Sequence, residues 1–99
     1  MKFNVRFTPE AEDDLERLYA VLLENDLKAA EEAFDAISRG IDFLRELPFS
    51  CRKAIPGNPL LRDLLVSFGN SGYVALFEIK DQTTLTVFAV RHQREDDYY

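Results

Sequence analysis

The stretch Leu60–Val90, "LLRDLLVSFGNSGYVALFEIKDQTTLTVFAV", decides the fold. Three apolar runs are separated by two turn signals, "GNSG" and "KDQT". Runs rich in Val, Leu, Phe and Tyr between Gly, Asn, Asp and Ser clusters predict strands joined as hairpins. The expected strands are 61–68, 73–80 and 84–91. The last two are apolar on both faces. Tyr73, Ala75, Phe77 and Ile79 share one face, with Val74 and Leu76 on the other. Leu85, Val87 and Ala89 alternate with Phe88 and Val90. A strand wet on one side shows cleaner alternation. These strands are therefore central and covered twice, or their second face meets another polypeptide.

Upstream of this stretch, "KFNVRF" alternates: Phe3, Val5 and Phe7 on one side, Lys2, Asn4 and Arg6 on the other. That predicts a half-buried strand over 2–7. "TPEAEDDLERLYAVLLEN" predicts a helix over 9–24. Thr8 can cap it, and Pro9 suits its first position, where a missing N–H costs nothing. Ala11, Leu15, Leu18 and Leu22 form its apolar face. Glu10, Glu12, Asp13 and Asp14 lie near the positive end of the helix dipole and read as a solvated acidic start. Asp26 can cap a second helix over 27–46, with Ala30, Phe34, Ile37, Ile41 and Leu44 on its inner face. Gly40 costs that helix about 1 kcal/mol relative to Ala, and its expected use is close approach to the first helix. Pro48 ends the second helix. "PFSCRKAIPGNP" reads as a loop. The expected architecture is α+β, in the order β-α-α-β-β-β, an antiparallel sheet packed against an N-terminal helical hairpin. At 99 residues the chain is expected to be one domain, 1–99.

Eight Phe, four Tyr and 46% hydrophobic residues fit a folded globular chain. No apolar run approaches the roughly 18–20 residues of a membrane span. The N-terminus has no apolar signal region, so a cytoplasmic protein without membrane contact is expected. With one cysteine, Cys51, and one histidine, His92, neither an internal disulfide nor a four-ligand zinc site is expected. No cofactor is implied. Cys51 sits beside Arg52 and Lys53, which can lower a thiol pKa, although an inert buried thiol is the plainer reading.

The net charge is −6. That argues against general or sequence-specific nucleic-acid binding by the chain alone, because such binding needs cations to displace counterions. The charge is uneven, however. Residues 10–46 carry twelve acidic and four basic side chains, whereas residues 47–99 carry six of each. The cations outside the helices are Arg52, Lys53, Arg62, Lys80, Arg91 and Arg94, with His92 among the last. If the three strands are antiparallel, Arg62 opens one and Arg91 closes another at opposite ends of the sheet. Arg91 follows a strongly apolar strand, and its guanidinium fork suits phosphate or carboxylate. The alternative is an ion pair with the acidic tail or the acidic hairpin.

"FTPEAEDDLERL", "LRDLLVSFGNSGYVALFEI" and "TVFAVRHQRED" together resemble the RelE/ParE superfamily of type II toxin–antitoxin toxins, in its ParE-like (plasmid stabilization) branch. His92-Gln93-Arg94-Glu95-Asp96 is similar to the ParE ending. The resemblance implies a toxin silenced by a cognate antitoxin that covers apolar surface, for which Val74, Leu76, Phe88 and Val90 are the candidates. ParE-like members poison DNA gyrase without catalysis, and Arg91, His92 and Arg94 are then the candidate target contacts. RelE-like members instead cleave mRNA on the ribosome. By residue type, Arg52, Lys53, Arg62, Arg91 and Tyr98 are the candidates for that chemistry, which needs cations around the phosphate and a proton carrier. A non-toxic protein-binding descendant is the third reading.

Overall fold

The computed structural model describes residues 2–68 and 71–92. The chain begins with strand β1 (Asn4–Phe7) and continues into helices α1 (Pro9–Asn25) and α2 (Leu27–Glu46). A short 3-10 turn (Pro48–Ser50) leads to β2 (Arg52–Lys53), β3 (Leu61–Phe68), β4 (Ser71–Ile79) and β5 (Thr84–His92). The strands form one sheet in the order β1-β5-β4-β3-β2, with the helical hairpin packed on one face. The strand set and its pairing differ from the sequence-based expectation. Residues 52–53, read as loop, add a short edge strand opposite Arg62 and Asp63. The sheet is also mixed, because β1 pairs with β5 in parallel while the other pairs are antiparallel.

The parallel pair follows from where the hairpin leaves the chain. Phe3 N–H donates to Arg45 C=O at the end of α2 (2.8 Å), so two helices return the chain to the end of the sheet where β1 began. From there β3 runs up, β4 down and β5 up again, in the direction of β1. A parallel pair needs such a long crossover. Asp26 makes the tight turn between the helices. Its N–H donates to Leu22 C=O (2.8 Å), and its carboxylate accepts from Lys28 and Ala29 N–H (3.0 and 3.2 Å). It closes one helix and opens the next.

The core lies between hairpin and sheet. Ala11, Leu18, Ala33, Ala36 and Leu44 from the helices meet Leu64, Val66, Tyr73, Ala75, Phe77, Ile79, Leu85, Val87 and Val90 from the strands. The inner face of α2 is built from small residues, and Phe34, expected inside, is 61% exposed. Gly40 serves close approach to the sheet, not to α1. A Cβ there would stand 3.0 Å from side-chain atoms of Leu64 and Val66.

A bulge in β5 changes which residues face the core. Phe77 pairs with Val87 and Leu76 with Ala89, leaving Phe88 opposite no residue. One extra residue reverses the alternation beyond it. Val90 therefore turns inward at 2% exposure, opposite Ala75, and Arg91 joins the outer face opposite Val74. The outer-face placement expected for Val90 is thus corrected.

Candidate functional site

The far end of β5 is held from two sides. Across the sheet, Val74 pairs with Arg91 and Tyr73 with His92. The His92 ring meets Tyr73 edge-on at 5.7 Å, and Tyr73 stacks on Phe68 at 5.9 Å. Burial raises the Tyr73 phenol above its ordinary value, so it stays neutral. On the other side, β1 stops at Phe7, opposite Val87. Past that point the start of α1 takes over the edge of β5. Thr8 N–H donates to Val87 C=O (3.0 Å), and its hydroxyl donates to Phe88 C=O (3.2 Å) while accepting from Ala11 N–H (3.1 Å) as the helix cap. Asp14 Oδ2 accepts from Val90 N–H (3.0 Å) and pairs with the Arg91 guanidinium. Of the alternatives open for Arg91, an ion pair with the acidic hairpin is formed; the acidic tail lies outside the described residues.

Asp14 was read from sequence as one of several solvated carboxylates, yet its side chain is only 13% exposed. The signal was present in the spacing. It lies three residues after Ala11 and four before Leu18, both buried, which places it along the apolar face of α1. Arg94 and Tyr98, the other residues expected at this end of the chain, lie outside the described residues.

Arg52, Lys53 and Arg62 gather where β2 pairs with the start of β3, and Arg52 and Lys53 lie three strands across the sheet from Arg91. Arg62 is occupied with structure. Its guanidinium donates to the carbonyls of Pro59 (2.7 Å), Phe49 (3.0 Å) and Cys51 (2.8 Å) and lies over the Phe49 ring at 5.3 Å. Arg52 pairs with Asp63 across the strands. The Cys51 thiol is buried, and burial raises its pKa; Arg62 opposes that shift and Asp63 reinforces it. Two neighbouring cations therefore do not make this a reactive thiolate. Among the described residues, no three His, Cys, Asp or Glu side chains converge as metal ligands.

The role of Arg62 is testable. Arg62→Ala removes three hydrogen bonds from loop carbonyls and is expected to lower stability by about 1–3 kcal/mol. Arg62→Lys is expected to recover little of it, because an ammonium cannot reproduce the fork. Thermal denaturation of the three proteins measures both. A loop that tolerates Ala without loss means these bonds contribute nothing.

Among the described residues, apolar surface is accessible in two places near this site. A groove of about 380 Å³ runs between the helices, lined by Leu15, Leu18, Leu22, Phe34, Ile37 and Tyr73 among others. Tyr19 and Phe34 meet edge-on at its mouth, 6.3 Å apart. The second surface is the outer sheet face. There Leu65 is 47% exposed, Leu76 and Phe88 are half-buried, and Val74 is buried.

Residues 5–97 match the family described as the ParE toxin of the type II toxin–antitoxin system parDE. Among solved structures, the chain is similar to one from the chromosomal ParDE toxin–antitoxin system of P. aeruginosa. That match has a TM-score of 0.69 at 15% identity and covers 92% of this chain and 96% of that one. It is also similar to the conserved hypothetical protein HP0894 of Helicobacter pylori, with a TM-score of 0.50 at 13% identity, covering 95% and 97%. At such identities these structures speak for the fold. No curated protein matches the sequence closely. Among the described residues, no helix is long and apolar enough to cross a membrane.

Proposed function

We propose, because the chain belongs to the ParE toxin family of type II toxin–antitoxin systems, that it inhibits growth by poisoning DNA gyrase in the cytoplasm and is silenced by a cognate antitoxin. The observation that carries this reading is the placement of the cationic strand end. Arg91 and His92 close β5, which is gripped by β4 on one side and by Thr8 and Asp14 of the first helix on the other. Arg94 follows two residues later in sequence. A group fixed on a packed strand is oriented better than one on a loop. Noncatalytic poisoning suits this arrangement, since it needs a presented surface and no proton carrier.

The noncatalytic reading is favoured over the ribonuclease one because Arg62 is committed to loop carbonyls and Arg91 lies three strands across the sheet from Arg52 and Lys53. For the antitoxin, the supporting feature is accessible apolar surface: the helical groove, and the outer face bearing Leu76 and Phe88, where Val74 is itself buried. Val90 drops out of that set because it packs in the core. Apolar patches beyond a few hundred Å² mark interaction sites.

The test has two arms. Purified protein is incubated with gyrase and DNA, and separately with a reconstituted translation system. The expected result is inhibited supercoiling with accumulation of cleaved DNA, and intact mRNA on the ribosome. Ribosome-dependent mRNA cleavage with gyrase unaffected overturns the reading. Absence of both activities, together with absence of growth inhibition in cells, leaves the non-toxic binding descendant.

A further inference from the structure

We propose that Asp14 is a positioning residue for the cationic strand end, an inference that rests on the reading of that end as the target-contacting element. β1 covers β5 only as far as Val87, and among the described residues no strand continues along that side. The edge of the last β5 residues is closed by side chains of the helix start instead. Thr8 takes Phe88, and Asp14 takes Val90 and Arg91. Asp14 does two separate things there. One carboxylate oxygen accepts the Val90 N–H at 3.0 Å, which completes the sheet edge. The negative charge holds the Arg91 guanidinium against α1, and Arg17 stands 3.6 Å from the other oxygen.

The first task needs only an acceptor, and an asparagine oxygen would serve. The second needs the charge, because a charge-assisted bond is roughly twice as strong as a neutral one. The chain keeps a carboxylate at a site where its side chain is 13% exposed, facing an arginine that is itself only 27% exposed. Desolvating that pair is costly unless its geometry is useful. The use assigned here is orientation. Asp14 fixes the Arg91 side chain and the strand end at Arg91–His92, where the target meets them.

Asp14→Asn separates the two tasks. Three readouts are taken on the full chain: growth inhibition in cells, exchange of the Val90 amide, and the NMR signals of the Arg91 guanidinium. The expected result is a protected Val90 amide, an unchanged fold, an altered guanidinium environment, and inhibitory potency lower by roughly tenfold or more, as for small misplacements of a positioned group. Asp14→Glu, which keeps the charge, is expected to fall between Asn and the native protein. Full potency in Asp14→Asn overturns the inference. Equal loss in the Asn and Glu variants overturns it too, since side-chain fit, not charge, would then be the cause. Growth inhibition does not depend on the identity of the target. A native protein that stops growth without affecting gyrase therefore removes the gyrase reading, while the Asp14 variants still decide this one. A native protein that leaves growth untouched removes both.

Discussion

Cells producing the Arg91→Ala, Arg94→Ala double variant are expected to grow as if no toxin were present, while the variant still folds. The chain belongs to a family of toxins; Arg91 lies at the end of β5, and Arg94 follows three residues later in sequence. If they contact the target, their removal takes away charge-assisted bonds that no neighbour replaces. Stability is expected to fall modestly. Arg91 pairs with Asp14 and both side chains are largely shielded, so the loss is expected to be at or above the roughly 1 kcal/mol of an exposed ion pair. Its loss does not orphan Asp14, which keeps the Val90 N–H and has Arg17 beside it. A loss of about 1 kcal/mol lowers the melting temperature of a domain this size by roughly 4–8 °C. Growth curves and thermal denaturation read the two effects separately. Full toxicity in the double variant makes the group an ordinary charged strand end. Collapse of the fold makes Arg91 a structural residue first.

How much of this was legible in the sequence depended on whether a feature is local. The strand at Leu61–Phe68 and the helix at Leu27–Glu46 stand where the pattern placed them, because periodicity and the stop signals around Asp26 and Pro48 are properties of neighbouring residues. The bulge at Phe88 was invisible for a physical reason. Val87, Phe88, Ala89 and Val90 are all apolar, so sliding the alternation by one residue leaves the pattern unchanged. Phe34 illustrates the opposite failure. It lies at ideal spacing for the inner face of α2, but at this part of the helix Ala33, Ala36 and Gly40 face the sheet, and the ring lies in the groove instead. The site divided in the same way. Residue type marked Arg62 and Arg91 as cations of interest. Which of them faces loop carbonyls and which faces a helix depends on chain crossings that no local pattern encodes.

Phe77 and Phe34 together give the sharpest test of the packing. Phe77 is fully buried on β4, paired with Val87 on one side and Arg62 on the other, and lies in the core with Leu44 and Leu85. Phe77→Ala removes a ring from the middle of the two-layer core. Neighbours held in a sheet and a helix cannot collapse fully into the gap, so both transfer energy and cavity energy are lost, about 3–5 kcal/mol in comparable cores. A small domain has only about 5–15 kcal/mol in total. Thermal denaturation is expected to show a melting temperature lower by roughly 15–30 °C, with much of the protein degraded in cells and growth inhibition lost as a consequence. Phe34→Ala removes the same ring from a position 61% exposed. Its contact with Tyr19, 6.3 Å away, contributes about 0.5–1.5 kcal/mol at most. Stability is therefore expected to fall little, and any strong effect of Phe34→Ala belongs to partner binding in the groove. If the Phe34 variant melts as low as the Phe77 variant, α2 is turned about its axis from the orientation described, and the small-residue contact between Gly40 and β3 is wrong with it.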